Sequence, residues 1–190
     1  MSEHQTSYHQ SAEQLTLDAA QIKAAQKDTS KFGVLYKKYY EQIFLFILKR
    51  VETEDIAADI TSQVFLKALT ALSKYKDMGL PFSSWLFRIA RNELYDMQAQ
   101  HKIELVVSTE KKGIGEMINE MGEEEPADYS NLYHVLSTLE DEDMELIELR
   151  FFEKRAFKEI AEILEITENN AKVRTYRILD KLKNLLRHEK

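Results

Sequence analysis

Residues 157–182 read FKEIAEILEITENNAKVRTYRILDKL, and this stretch decides the fold. Ile160, Ala161 and Leu164 recur at helical spacing, and Ile166 staples a turn. Thr167 then stands as an N-cap, with Asn169 and Asn170 in the first turn of a second helix. Small Ala161 suits a close helix crossing, and the second helix carries Lys172, Arg174 and Arg177. Such a pair reads either as a helix-turn-helix, whose second helix enters the DNA major groove, or as a helical hairpin with a solvated basic face. The rest of the chain weighs between them.

At 190 residues the chain holds one medium domain or two small ones. Five glycines and two prolines, with long stretches free of breakers, predict an all-helical protein. No apolar run approaches the roughly 20 residues a membrane span needs, so no membrane insertion is expected. The polar start MSEHQTSYHQSAEQ lacks the apolar stretch of a secretory signal. Zero cysteines exclude disulfides and thiolate chemistry and fit a reducing compartment, so a cytoplasmic protein is expected.

The net charge of −7 looks wrong for a DNA binder until it is divided along the chain. Residues 1–102 carry 13 basic and 12 acidic side chains, residues 103–149 carry 2 and 14, and residues 150–190 carry 11 and 7. Salt screens exposed charges over about 10 Å, so the local charge of +4 in the tail matters more than the total.

Helical patterning begins near Ala12. Val34, Leu35, Ile43, Phe44, Phe46, Ile47 and Leu48 make one apolar face, and Ile60, Val64, Phe65, Ala68, Leu69 and Leu72 repeat it. Residues 74–81 (KYKDMGLP) read as a loop, after which Ser83 or Ser84 is expected to cap a helix through Trp85, Leu86, Ile89, Ala90 and Leu94. Residues 103–128 hold Gly113, Gly115, Gly122, the acidic run 123–125 and Pro126, and read as a mobile acidic linker. Met117, Ile118 and Met121 leave a short helix open there. Its negative charge either lies over the basic tail and lowers DNA affinity or serves as an inert spacer. Residues 129–187 form a second helical block, in which Leu139, Met144, Leu146, Ile147, Leu149 and Phe152 precede the helix-turn-helix.

These strings carry a resemblance to a known family. Residues 32–40 (FGVLYKKYY) resemble the opening of the conserved helical domain of bacterial sigma factors. Residues 55–65 (DIAADITSQVF) are similar to the family's polymerase-binding helix, 82–92 (FSSWLFRIARN) to its promoter-melting helix, and 139–182 to its C-terminal promoter-binding domain. Two domains joined by a short linker resemble the extracytoplasmic-function (ECF) class of the sigma-70 family. The resemblance implies an all-α fold of two small helical domains joined by a flexible acidic linker. A sigma region 2 bundle would span 12–102, the linker 103–128, and a sigma region 4 helix-turn-helix 129–187.

It also implies roles for particular residues. Asp55, Asp59, Ser62 and Gln63 would dock on core RNA polymerase, although Ser62 and Gln63 stand where the family commonly has Gln and Glu. Trp85, Arg88, Arg91, Asn92 and Tyr95 would grip the melted −10 element of promoter DNA, with Lys76 and Met78 in the loop that holds a flipped base. Aromatic and cationic groups along one helix suit single-stranded DNA, which offers bases to stack and phosphates to pair. The alternative is that Trp85, Leu86, Ile89 and Ala90 are core; it is accepted for the last three, and Trp85 is read as a DNA contact. Thr167, Asn169, Asn170, Lys172, Arg174, Tyr176 and Arg177 would read the −35 element as duplex, asparagine pairing well with adenine and arginine with guanine. Glu165 replaces the usual turn glycine and Tyr176 a frequent histidine, while MQAQHK at 97–102 is less basic than is usual. An anti-sigma partner is implied as well.

Other chemistry fails to assemble. His4, His9, His101, His134 and His188 are scattered without metal-ligand spacing, and no phosphate-cradling glycine loop exists, so no metal, no cofactor and no enzyme activity are expected. A stand-alone helix-turn-helix regulator would bind a palindrome without polymerase. A helical enzyme or adaptor using the tail as a docking hairpin is a third reading. The aromatic-basic helix favours a sigma factor over both, because a duplex-binding repressor has no use for a single-strand platform.

Overall fold

The computed structural model describes residues 12–100, 111–122, 134–136 and 138–188. They fall into two compact units, one within 10–108 and one within 109–190. All regular structure among the described residues is helical.

The N-terminal unit is built from α1 (Ala12–Lys27), α2 (Phe32–Leu48), α3 (Glu54–Ala71) and α4 (Phe82–Ala99), with 3-10 turns at Thr29–Lys31 and Leu72–Lys74. Thr53 caps α3 by accepting from the Ile56 N–H at 3.3 Å, and Glu54 and Asp55 set negative charge against the positive end of the helix dipole. Leu35, Ile43 and Ile47 of α2 meet Ile60 and Val64 of α3 and Leu86, Phe87 and Ala90 of α4, all fully buried. Each large apolar side chain so buried stabilises the unit by about 1.5–3 kcal/mol. Phe46 and Phe87 pack edge to face at 4.6 Å. Buried Asp18 on α1 takes hydrogen bonds from Lys38 and Tyr39 of α2, which keeps its charge compensated.

Two local expectations are corrected here. Val34, read as core, is 52% exposed, because the buried arc of α2 runs through Leu35, Tyr39, Ile43, Phe46 and Ile47. Neither Ser83 nor Ser84 caps α4; both are buried inside its first turn, and Pro81 is the N-cap residue. Proline fixes the entry φ at −53°, and its carbonyl accepts from the Ser84 N–H at 2.9 Å.

The C-terminal unit contains α5 (Lys111–Met121), α6 (Asp141–Ile147), α7 (Phe157–Leu164) and α8 (Glu168–His188). From α6 the chain runs into a π-helical turn at Glu148–Phe152, where Glu153 N–H reaches the Glu148 carbonyl at 2.9 Å. That insertion shifts the helical register by one residue. Phe151 is therefore buried and Phe152 only half-buried. Arg155, fully buried, pairs with Glu159 at 3.7 Å as the chain enters α7.

The linker reading needs correction over its described part. Residues 111–121 form α5, whose Ile114, Met117, Ile118 and Met121 are buried in the C-terminal unit. The short helix left open at Met117, Ile118 and Met121 is the one that forms, its apolar spacing of three and four burying one face. Residues 103–110 and 123–128 lie outside the described residues.

Candidate nucleic-acid interface

The turn between α7 and α8 is built as the sequence predicts. Glu159 reaches back to the Ala156 N–H at 3.0 Å to close the start of α7. At its end Glu165 adopts the left-handed conformation, φ 55° and ψ 40°, and Ile166 N–H donates to the Ala161 carbonyl at 3.0 Å. Thr167 Oγ1 then accepts from the Asn170 N–H at 3.1 Å, so Thr167 is the N-cap of α8.

α8 divides cleanly by face. Ala171, Thr175, Ile178, Leu179 and Leu182 are buried. Asn169, Val173, Tyr176, Arg177 and Asp180 follow one another at spacings of three, four and one along the exposed arc, with Asn170 beside them. Lys172 pairs with Glu168 one turn away at 3.0 Å, an exposed i,i+4 pair of a few tenths of a kcal/mol that a phosphate readily replaces. The exposed N-terminal part of this helix thus offers asparagine amides, a guanidinium and an ammonium, groups suited to base edges and phosphates.

Arg174 does not belong to that arc. It points toward α6 and donates to Asp143 at 3.0 Å and to Glu142 at 3.2 Å. The hydrogen bond to Asp143, with help from Glu142, raises its pKa above the ordinary arginine value against the opposing effect of partial burial. In the free protein Arg174 thus joins α8 to α6 rather than standing on the open arc where it was expected. Tyr176 stands 6.3 Å from Phe157 of α7, ring to ring, and its hydroxyl donates to Glu120 of α5 at 3.2 Å.

In the N-terminal unit the aromatic-basic helix is partly as expected. Arg88, Arg91, Asn92 and Tyr95 share one stripe of α4; Asn92 is exposed, the others half-buried, and the Arg91 guanidinium lies 4.9 Å over the Tyr95 ring. Trp85 is the correction. It is 8% exposed and belongs to a three-ring cluster with Tyr75 at 4.7 Å and Phe82 at 5.3 Å. Phe82 lies one turn before it, and the loop folds Tyr75 onto both, which converts an amphipathic aromatic into core.

The loop itself is pinned at one end and open at the other. Gln26 of α1 donates to the carbonyls of Leu72 and Tyr75, both at 2.9 Å. Beyond it Lys76 is exposed and Met78 is 66% exposed, and Gly79 turns at φ 70° with its N–H on Asp77 Oδ1 at 2.8 Å. A cleft of about 220 Å³ lies beneath, between this loop and α1, lined among others by Thr16, Asp18, Tyr75, Gly79 and Phe82.

Asp55, Asp59, Ser62 and Gln63 all lie exposed on α3, opposite Ile60 and Val64. Leu66 continues that stripe one turn on, 57% exposed. It was missed in the sequence, although it lies three positions after Gln63. Val173 was missed likewise. Among the described residues no group of three or more His, Asp or Glu side chains is placed to hold a metal ion, and no helix is long and apolar enough to cross a membrane.

Comparison with known proteins matches residues 35–102 to the family model for sigma-70 region 2 and residues 135–184 to that for sigma-70 region 4. The chain is 31% identical over 173 residues to the ECF RNA polymerase sigma factor BldN of Streptomyces coelicolor, covering 86% of this chain and 63% of that protein. It is 27% identical over 155 residues to the ECF RNA polymerase sigma factor SigM of Bacillus subtilis, covering 80% and 92%. Among solved structures, CnrH in complex with the cytosolic domain of CnrY aligns over 90% of this chain and 97% of that one, with TM-score 0.57 and 19% identity. RpoE of Bartonella quintana, solved with the anti-sigma factor NepR, aligns over 84% and 98% with TM-score 0.53 and 20% identity. At those identities the two structures speak for the fold.

Proposed function

The chain belongs to the sigma-70 family of RNA polymerase sigma factors, in its ECF class, and on that premise we propose how its two units divide the work. The protein binds core RNA polymerase and directs it to promoters; the chemistry of RNA synthesis stays with the polymerase, in the cytoplasm. The observation that carries this reading is the Thr167-capped α8 with its exposed arc of Asn169, Asn170, Lys172 and Arg177. In this proposal α8 enters the major groove of the −35 element, where Thr167 and Tyr176 flank the reading residues.

In the N-terminal unit the Arg88–Tyr95 stripe takes the melted −10 strand, stacking on Tyr95 and pairing phosphates with Arg88 and Arg91. Lys76 and Met78, exposed on the loop whose Tyr75, Asp77 and Gly79 line the cleft, meet one extruded base there; extrusion costs a few kcal/mol, which the pocket offsets by stacking and edge contacts. The α3 stripe of Asp55, Asp59, Ser62 and Gln63 meets the polymerase. An anti-sigma factor is the expected regulator, since the RpoE relative was solved in complex with one.

Transcription reactions containing core polymerase and this protein test the reading. Initiation is expected at discrete sites, and only when both are present. A sharp footprint on a palindrome by the free protein, with no effect on polymerase, would replace this reading by a stand-alone regulator.

A further inference from the structure

Helix α5 lies between the two segments that match the family models, in neither of them, yet it is seated on the C-terminal unit by three polar contacts as well as by its apolar face. Glu116 pairs with Lys154, which directly precedes the entry to α7. Glu120 accepts from the Tyr176 hydroxyl at 3.2 Å, and the Met121 carbonyl accepts from Lys183 Nζ at 2.8 Å. Two of those three partners are cations, and Tyr176 stands on the exposed arc of α8. Every group that α5 engages in this way is one that a DNA duplex also seeks, an ammonium for phosphate or a phenol beside the reading residues.

We propose that α5 is an acidic clasp, and that it and duplex DNA compete for one surface formed by Lys154, Tyr176 and Lys183. The inference rests on the reading of α8 as the duplex-reading helix. With α5 seated, Lys154 is neutralised by Glu116, the Lys183 ammonium is engaged by the Met121 carbonyl, and Glu120 presents negative charge where phosphates would approach. Each phosphate contact withheld removes a counterion-release contribution, so the free chain binds DNA weakly and with a shallow salt dependence. The clasp works as a two-state element because α5 has 11 residues, short of the roughly 12–15 at which an isolated helix holds in water. Once lifted it unravels, and the acidic face is no longer organised over the cations.

The absence of cysteine from the chain permits a reversible test. Glu116→Cys and Lys154→Cys are introduced together and joined by a short bis-maleimide that a reductant cleaves. Affinity of the full chain for a fluorescein-labelled, random-sequence duplex is then measured before and after cleavage. The locked protein is expected to bind several-fold more weakly than the same protein cleaved, and equal affinity overturns the clasp. In an independent arm, Glu116→Gln with Glu120→Gln should tighten binding about three- to tenfold at low salt, with the gain shrinking at high salt. Unchanged low-salt binding in that variant, with circular dichroism showing native helix content, also overturns it. Arg177→Ala separates the two levels of the argument. Binding that ignores Arg177→Ala in the cleaved protein refutes the role of α8 itself, whereas binding that depends on Arg177 but not on locking refutes only the clasp.

Discussion

Arg174 on α8 and Asp143 on α6 are joined by a hydrogen-bonded ion pair at 3.0 Å, and Glu142 adds a second contact at 3.2 Å. Both acids lie in the first turn of α6, where the helix dipole also favours them. Arg174→Ala is therefore expected to destabilise the C-terminal unit by about 1 kcal/mol, discounted for partial exposure of the pair. Because the raised pKa of Arg174 places its charge loss beyond the ordinary arginine range, this contribution is fully present below that range. It is lost only as pH rises through it, and stays flat across neutral pH. Arg177→Ala should show the opposite pattern, with unchanged melting and −35 duplex affinity weaker by about 1–3 kcal/mol. Unchanged urea melting of Arg174→Ala, together with lost sequence preference, would return Arg174 to the reading face.

Trp85 reports on the same distinction in the N-terminal unit. It is the only tryptophan in the chain, so its fluorescence is unambiguous. Buried and clustered with Tyr75 and Phe82, it should emit to the blue of free tryptophan, resist acrylamide quenching, and change little when single-stranded DNA is added. Trp85→Ala should cost about 3–5 kcal/mol of stability. Strong quenching by an oligonucleotide would show that the ring leaves its pocket to stack on bases.

Glu165 holds a left-handed backbone with φ 55°, a conformation that costs a residue with a Cβ roughly 1–2 kcal/mol and glycine little. Glu165→Gly relieves that strain but adds freedom to the unfolded chain. The expected net result is a gain of about 0.5–1 kcal/mol, seen as a higher melting temperature with unchanged promoter choice. A lower melting temperature would mean that the glutamate side chain holds the turn.

What was legible in the sequence followed periodicity and capping chemistry. Thr167 as N-cap and the opposed faces of α3 both rest on local rules that the tertiary structure respects. The placements that differ are of another kind. Trp85 and Arg174 are read from the resemblance, and whether such a side chain points to solvent depends on partners distant in sequence: Tyr75 for one, Asp143 for the other. Phe152 is only half-buried because a π-helical turn adds a residue that a 3.6-residue period cannot anticipate. The apolar face of α5 was outweighed by glycines and acids that sit on its other sides.

Leu66 carries the last prediction. It extends the stripe of Asp59, Ser62 and Gln63 by one turn, and at 57% exposure it adds an apolar side chain to a surface otherwise polar. A single exposed leucine needs no explanation by itself. Here it falls in line with the proposed polymerase-docking residues, and interfaces commonly set one buried apolar anchor within a polar rim. Leu66→Ser removes little burial in the free protein and should leave its melting temperature unchanged. If the stripe docks on polymerase, the substitution should weaken association with the core enzyme by about 1–2 kcal/mol, roughly tenfold. Asp59→Ala should act mainly on the association rate and its salt dependence, as charges at an interface rim do. Native core affinity in a Leu66→Ser, Asp59→Ala, Gln63→Ala triple variant would place the polymerase contact on another face of the N-terminal unit.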